Sequence, residues 1–138
     1  MADQNQGPVS GIAAHLIIRD GRADEAIRFY QAAFGAREEM RHLAEDGKRL
    51  FHAHLTINGG SLMLNDDFPE FRGGNETAAP AGFTLHLQVP DADAMWGRAV
   101  AAGATVKMPL DNQFWGDRYG QLEDPFGFAW SIGGPKTA

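Results

Sequence analysis

Four of the five histidines, His15, His52, His54 and His86, sit in short β-rich runs where they alternate with Leu, Ile or Phe. Side chains on a strand alternate between its two faces. The four imidazoles are therefore expected together on polar faces, with the aliphatic residues on packed ones. Imidazole titrates near neutral pH, so it can move protons or, in its neutral form, ligate a divalent metal. His15 with His86 or His52 is the acid–base pair this pattern offers. His52 and His54, at i and i+2, together with His86 are the candidates for a metal site, although no carboxylate is placed on their face. Plain hydrogen bonding is the competing role for a histidine on the polar face of a half-buried strand.

A second constellation lies in Phe114-Trp115-Gly116-Asp117-Arg118-Tyr119-Gly120, followed by Asp124-Pro125-Phe126-Gly127. Glycine lets the backbone be approached closely, and Trp is costly to leave bare. The run is expected to form a shaped wall, with Trp115 stacking on a ligand. Arg118 can hold a carboxylate or phosphate through two parallel hydrogen bonds. Alternatively it pairs with Asp117, Glu123 or Asp124 and pins the loop. No serine nucleophile motif, phosphate loop or dinucleotide fingerprint is present; Gly59-Gly60 and Gly73-Gly74 lack the strand-to-helix context such loops need.

Composition narrows the classes further. The 138 residues suit one domain, with 43% hydrophobic and 22% charged residues. Twelve basic against eighteen acidic side chains give a net charge of −6 without a basic patch, which argues against nucleic acid as a partner. Zero cysteines exclude disulfides, thiolate-bound zinc and thiol catalysis. No signal peptide opens the chain and no apolar run reaches membrane-spanning length, so no membrane partner and a cytoplasmic location are expected.

The elements that must position these residues follow from periodicity. A strand over 15–18 precedes apolar residues at helical spacing, Ala23, Ala26, Ile27, Tyr30, Ala33 and Phe34. Asp20 or Asp24 is expected to cap that helix and Gly35 to end it. Strands over 36–42, 49–57 and 61–65 come next. A polar, Pro/Gly-containing linker spans 67–81, after which the pattern restarts. It contains a strand over 83–89 and a helix capped by Asp91 or Asp93, with the stripe Ala92, Met95, Trp96, Ala99 and Val100 and with Gly103 at its end. Strands over 105–108, 115–122 and 128–132 complete it. Parity assigns Leu16, Ile18, Phe51, Leu55, Ile57, Leu62, Leu64, Phe83, Leu85, Leu87, Val89, Phe128, Trp130 and Ile132 to packed faces. Met63, Asn65, Thr84, Gln88, Ala129 and Ser131 fall on the opposite ones with the histidines. The chain therefore reads as an internal duplication: a flexible N-terminus over 1–11, a first module over 12–66 and a second over 82–134.

With the helix ends Phe34-Gly35-Ala36 and Ala102-Gly103-Ala104, the aromatic run and the Asp-Pro-Phe-Gly turn, the chain resembles the PhnB-like branch of the glyoxalase/bleomycin-resistance/dioxygenase (vicinal oxygen chelate) superfamily. The resemblance implies an α+β fold of two tandem βαβββ modules, forming a curled mixed sheet around a cleft. It also implies a homodimer and a small-molecule ligand. The superfamily's metal-ligand positions fall on His15, Met63, Thr84 and Ser131. Thioether and hydroxyl groups are poor ligands for its metals, so no cofactor is expected, and a divalent metal only at a displaced site. The implied function is binding of a small organic molecule by His52, His54, Met63, Thr84, Trp115, Arg118 and Ser131. The alternative is a lyase, isomerase or dioxygenase with His15 and His86 as catalytic residues.

Overall fold

The computed structural model describes residues 7–137. Of the N-terminal stretch expected to be flexible, residues 1–6 lie outside the described residues, and 7–11 form neither helix nor strand. The first half runs β1 (Ala14–Ile18), α1 (Ala23–Phe34), β2 (Arg37–Leu43), β3 (Leu50–Ile57) and β4 (Gly60–Asp66). The second runs β5 (Leu85–Gln88), α2 (Ala92–Ala102), β6 (Thr105–Asn112), β7 (Asp117–Glu123) and β8 (Ala129–Pro135). Both halves are βαβββ. A short 3-10 turn, Pro69–Arg72, lies in the stretch between them.

Strand pairing closes within each half. The orders are β1-β4-β3-β2 and β5-β8-β7-β6, with β1 parallel to β4 and β5 parallel to β8. The two expected βαβββ modules thus each build a four-stranded mixed sheet, because each half's first strand docks on its own last strand. The chain packs as two compact units, one for each sheet, and the second unit also takes in Ala32–Phe34 of α1.

In the first unit, Leu16, Ile18, Leu55, Ile57, Leu62 and Leu64 are buried, as strand parity requires. Phe51 departs from it. The pairs His42↔His52 and Leu43↔Leu50 leave Phe51 as an extra residue on β3. Such a bulge resets the alternation, so Leu50 turns inward and Phe51 is 61% exposed. The start of α1 also differs from the local expectation. Neither Asp20 nor Asp24 caps it; Arg22 occupies the N-cap without a side-chain capping bond. The Ala23 N–H instead donates to Oδ1 of Asp66, 2.9 Å away at the end of β4. Oδ2 of Asp66 accepts from the Leu50 N–H at 2.7 Å. One buried carboxylate thus ties α1, β3 and β4 together. At the other end of α1, Gly35 takes the expected left-handed conformation, φ 68°.

In the second unit Asp91 caps α2 by accepting from the Ala94 N–H at 3.1 Å. Helix α2 lies against β8 and β6. The Asp-Pro-Phe-Gly turn between β7 and β8 folds around the buried Asp124. Its Oδ1 accepts from the Phe126 and Phe128 N–H groups at 2.9 and 3.0 Å. Its Oδ2 accepts from Nε1 of Trp130 at 2.9 Å. Trp130 is core and meets Phe34 at 4.4 Å between ring centroids. The expected α2 stripe is only partly buried: Trp96 is half-buried and Val100 exposed. Phe83 is exposed because β5 begins at Leu85. Trp96 is nevertheless packed, its ring filling the space where a side chain on Gly120 would stand. A Cβ there would come within 2.6 Å of the ring and 2.8 Å of the Leu110 Cα.

These buried groups set expectations for stability. Asp66→Ala and Asp124→Ala each strand buried N–H donors and should cost about 3 kcal/mol or more in urea denaturation; a loss below about 1 kcal/mol would mean the carboxylates are not structural. Gly120→Ala should cost about 1–3 kcal/mol, because the added methyl would overlap both the Trp96 ring and the Leu110 backbone. Equal midpoints for Gly120→Ala and the parent would refute that packing.

Candidate functional site

The polar face of the second sheet holds one organised cluster. His86 on β5 and Ser131 on β8 are register partners, and His86 Nδ1 lies 2.7 Å from Ser131 Oγ. Its Nε2 lies 2.8 Å from Oε1 of Gln88, two residues along β5. Because that amide oxygen only accepts, Nε2 carries a proton and donates. The imidazole stacks on Tyr119 of β7 at 5.8 Å and 23°. Tyr119 in turn meets Trp115 edge-on at 5.5 Å, and Trp115 meets Phe114 at 5.2 Å. Gln121 donates to the Tyr119 hydroxyl at 3.1 Å. Gly133 on β8 leaves room for the cluster, since a Cβ there would stand 2.9 Å from the His86 ring and 3.0 Å from Gln88 Oε1.

The other expected members differ in place or exposure. Ser131 is buried, 2% exposed, and engages His86, so its hydroxyl orients the ring from beneath. Thr84 precedes β5 and is exposed. Arg118 has the parity of Gly120 and Leu122 on β7, which faces α2. It makes a bidentate pair with Asp93 in the first turn of α2, 2.9 Å through both Nε and Nη2. That hydrogen bonding lowers the Asp93 pKa and answers the choice of partner: neither Asp117, Glu123 nor Asp124 is the one. Trp115 remains with the cluster, 51% exposed. Tyr119, Gln121 and Gly133 received no role from sequence reasoning. The alternation of Tyr119 and Gln121 with Gly120 and Leu122 was the available signal for the first two.

The first sheet carries a separate set of histidines. His15 and Met63 are register partners on β1 and β4. His15 Nε2 lies 2.5 Å from Asn65 Oδ1, and its ring is edge-on to His52 at 5.9 Å. His54 shares the face of His52 but is buried, with Nε2 3.1 Å from Ser61 Oγ. Thr56 donates to Glu39 at 2.7 Å. Burial, and then the neighbouring His15, His42 and His54, hold the His52 pKa below its ordinary value of 6.5.

The superfamily's metal does not fit this donor set. His15 is engaged by Asn65, Met63 offers a thioether, Thr84 stands outside its strand, and Ser131 is covered and bonded to His86. Nor do His52, His54 and His86 make up a displaced set: among the described residues no group of three or more His, Asp or Glu is arranged to hold an ion. Among those residues, too, no helix is long and apolar enough to cross a membrane.

Comparison with known proteins agrees with this architecture. The sequence model of the Glyoxalase/Bleomycin resistance protein/Dioxygenase superfamily matches residues 12–132. The "Uncharacterized protein Rv0887c" of Mycobacterium tuberculosis is 47% identical over 144 residues, covering 97% of this chain and 83% of the relative. The crystal structure of protein PA1353 from Pseudomonas aeruginosa superposes with a TM-score of 0.75 at 26% identity, covering 94% of this chain and 100% of that one. A PhnB protein from Bacillus cereus shares the fold at a TM-score of 0.67 and 20% identity, covering 91% and 99%.

The depressed His52 pKa has a consequence for stability. Below pH 6.5 the unfolded chain takes up a proton that the folded site resists. Stability is therefore unaffected by this group above that pH, falls as pH drops toward the folded midpoint, and is level beneath it. In an NMR titration His52 should titrate below 6.5, and His15→Asn should move it upward. A midpoint at or above 6.5 would contradict the environment described.

Proposed function

This chain belongs to the glyoxalase/bleomycin resistance protein/dioxygenase superfamily, and we propose that it binds a planar small organic molecule on the His86–Tyr119–Trp115 face of its second unit. The observation that carries this reading is the engagement of both His86 nitrogens, by Ser131 and by Gln88. A general base needs a free nitrogen within hydrogen-bond reach of the proton it takes. Here both are held, and the exposed edge of the His86–Tyr119 stack is what the ring contributes to an aromatic surface. Trp115 supplies a half-exposed plane, and Gln88 and Gln121 supply polar edges able to match heteroatoms. His15, the other candidate catalytic residue, has its Nε2 tied to Asn65. Binding without chemistry fits these constraints better than acid–base or metal-assisted catalysis. In this reading His52, His54 and Met63 shape the polar face of the first unit.

The motifs around Trp115 and Asp124 support membership of the PhnB-like branch within this proposal. The protein works as a cytoplasmic homodimer, and the net charge of −6 keeps nucleic acid off its surface.

Saturation-transfer NMR with a library of planar heteroaromatic fragments tests the reading. Hits should perturb Trp115, Tyr119 and His86 resonances together. Trp115→Ala should weaken the best hit by about 1 kcal/mol or somewhat more without unfolding the protein. Trp130→Ala should instead cost roughly 3–5 kcal/mol of stability. Hits that leave the Trp115 cluster unperturbed would refute the site. Turnover of a bound fragment that is abolished by His86→Gln would favour the enzyme reading.

A further inference from the structure

A cavity of about 570 Å³ lies in the first unit, and no histidine lines it. It opens between the β2–β3 hairpin end and the 3-10 turn, and its size suits a small ligand. Its apolar wall is Leu43, Phe51, Phe68 and Phe71. Phe68 is buried and forms the floor, meeting Phe51 at 6.0 Å and Phe71 at 5.8 Å. Leu43, Phe51 and Phe71 are 56%, 61% and 75% exposed. An apolar cluster left this open marks a contact surface, and it exists because the β3 bulge turns Phe51 out of the core.

The polar rim decides what kind of ligand fits. Arg49 is the cation among the lining residues, and it is already committed. Its Nε donates to Asp46 at 2.7 Å, and Nη1 and Nη2 donate to Glu70 at 3.0 and 2.6 Å. Its guanidinium also sits 4.4 Å over the Phe68 ring. The Lys48 backbone N–H, and then Arg49, push the Asp46 pKa down to about 2, and Arg49 lowers that of Glu70. Both carboxylates therefore stay ionised under all ordinary conditions. With Glu45 on the same rim, three carboxylates face one guanidinium, and the mouth carries an excess of negative charge. An anion would be repelled there, and Arg49 has no free fork to receive it. An aromatic floor beneath a negative rim is complementary to a cation with an apolar body.

We propose that this pocket binds a small amphipathic cation, an aromatic or branched-alkyl body carrying an ammonium group. The body lies against Phe51, Phe71 and Leu43, and the ammonium meets Glu45 and the rim carboxylates. The proposal is independent of the His86 face.

Calorimetry at low salt with 4-phenylbutylamine, 4-phenylbutan-1-ol and 4-phenylbutyrate separates the contributions. The amine should bind on the order of tenfold tighter than the alcohol, with the acid weakest. Phe51→Ala and Glu45→Gln should each weaken the amine by roughly fivefold or more, with melting temperatures unchanged because both side chains are exposed. Trp115→Ala should leave amine binding intact, which keeps failure of this pocket distinct from failure of the His86 face. No amine binding, equal affinity for amine and acid, or undiminished binding by Phe51→Ala would each overturn the proposal. So would dissociation of an oligomer by Phe51→Ala with amine affinity unchanged, which would make the patch a subunit interface.

Discussion

The Asp124 carboxylate sets the geometry on which the second unit's polar face depends. A buried carboxylate is costly unless strong donors surround it, and here two backbone N–H groups and an indole N–H do so. Those three bonds hold the turn that brings β8 back along β7, and they anchor Trp130 in the core. Once Trp130 is fixed, the strand period puts Ser131 on the opposite face, beside His86, and Gly133 under the His86 and Gln88 side chains. The same turn sets β7 so that Tyr119 pairs with Gly133 and stacks on the imidazole. Asp66 does the corresponding work in the first unit at a non-equivalent position, so the two halves share a topology without sharing the group that locks it.

Equivalent topology has led to unlike chemistry. On the first sheet the imidazoles crowd one another, and His52 is pushed toward its neutral form by burial and by its neighbours. On the second sheet a single imidazole is held at both nitrogens and covered by an aromatic ring. The Arg118–Asp93 pair shows the same economy: a group suited to anion recognition is used to join β7 to α2.

Much of the fold was legible in the residues. Period-3.6 stripes located both helices, the glycines after Phe34 and Ala102 ended them, and alternation sorted Leu16, Ile18, Leu62, Leu64, Trp130 and Ile132 to packed faces. The exceptions have a common origin in long-range backbone pairing. Phe51 obeys the alternation in sequence but sits at a bulge that exists only because β2 and β3 pair with a one-residue slip. The α1 cap was sought among neighbours, whereas Asp66, 43 residues away, supplies it. Phe83 and Thr84 lie beyond the end of β5, whose length is set by its pairing with β8.

By itself the sequence determined the duplicated βαβββ order, the polar and packed faces of the strands, and the placing of His15, His52, His54 and His86 on the polar ones. These are local properties of residue type and period. Only the tertiary structure decided that Arg118 turns to α2, that Ser131 is covered, that Tyr119 roofs His86 and that a pocket opens around Phe51. Each depends on which strands become neighbours, and that depends on contacts between residues far apart in the chain. Local period carries no information about them.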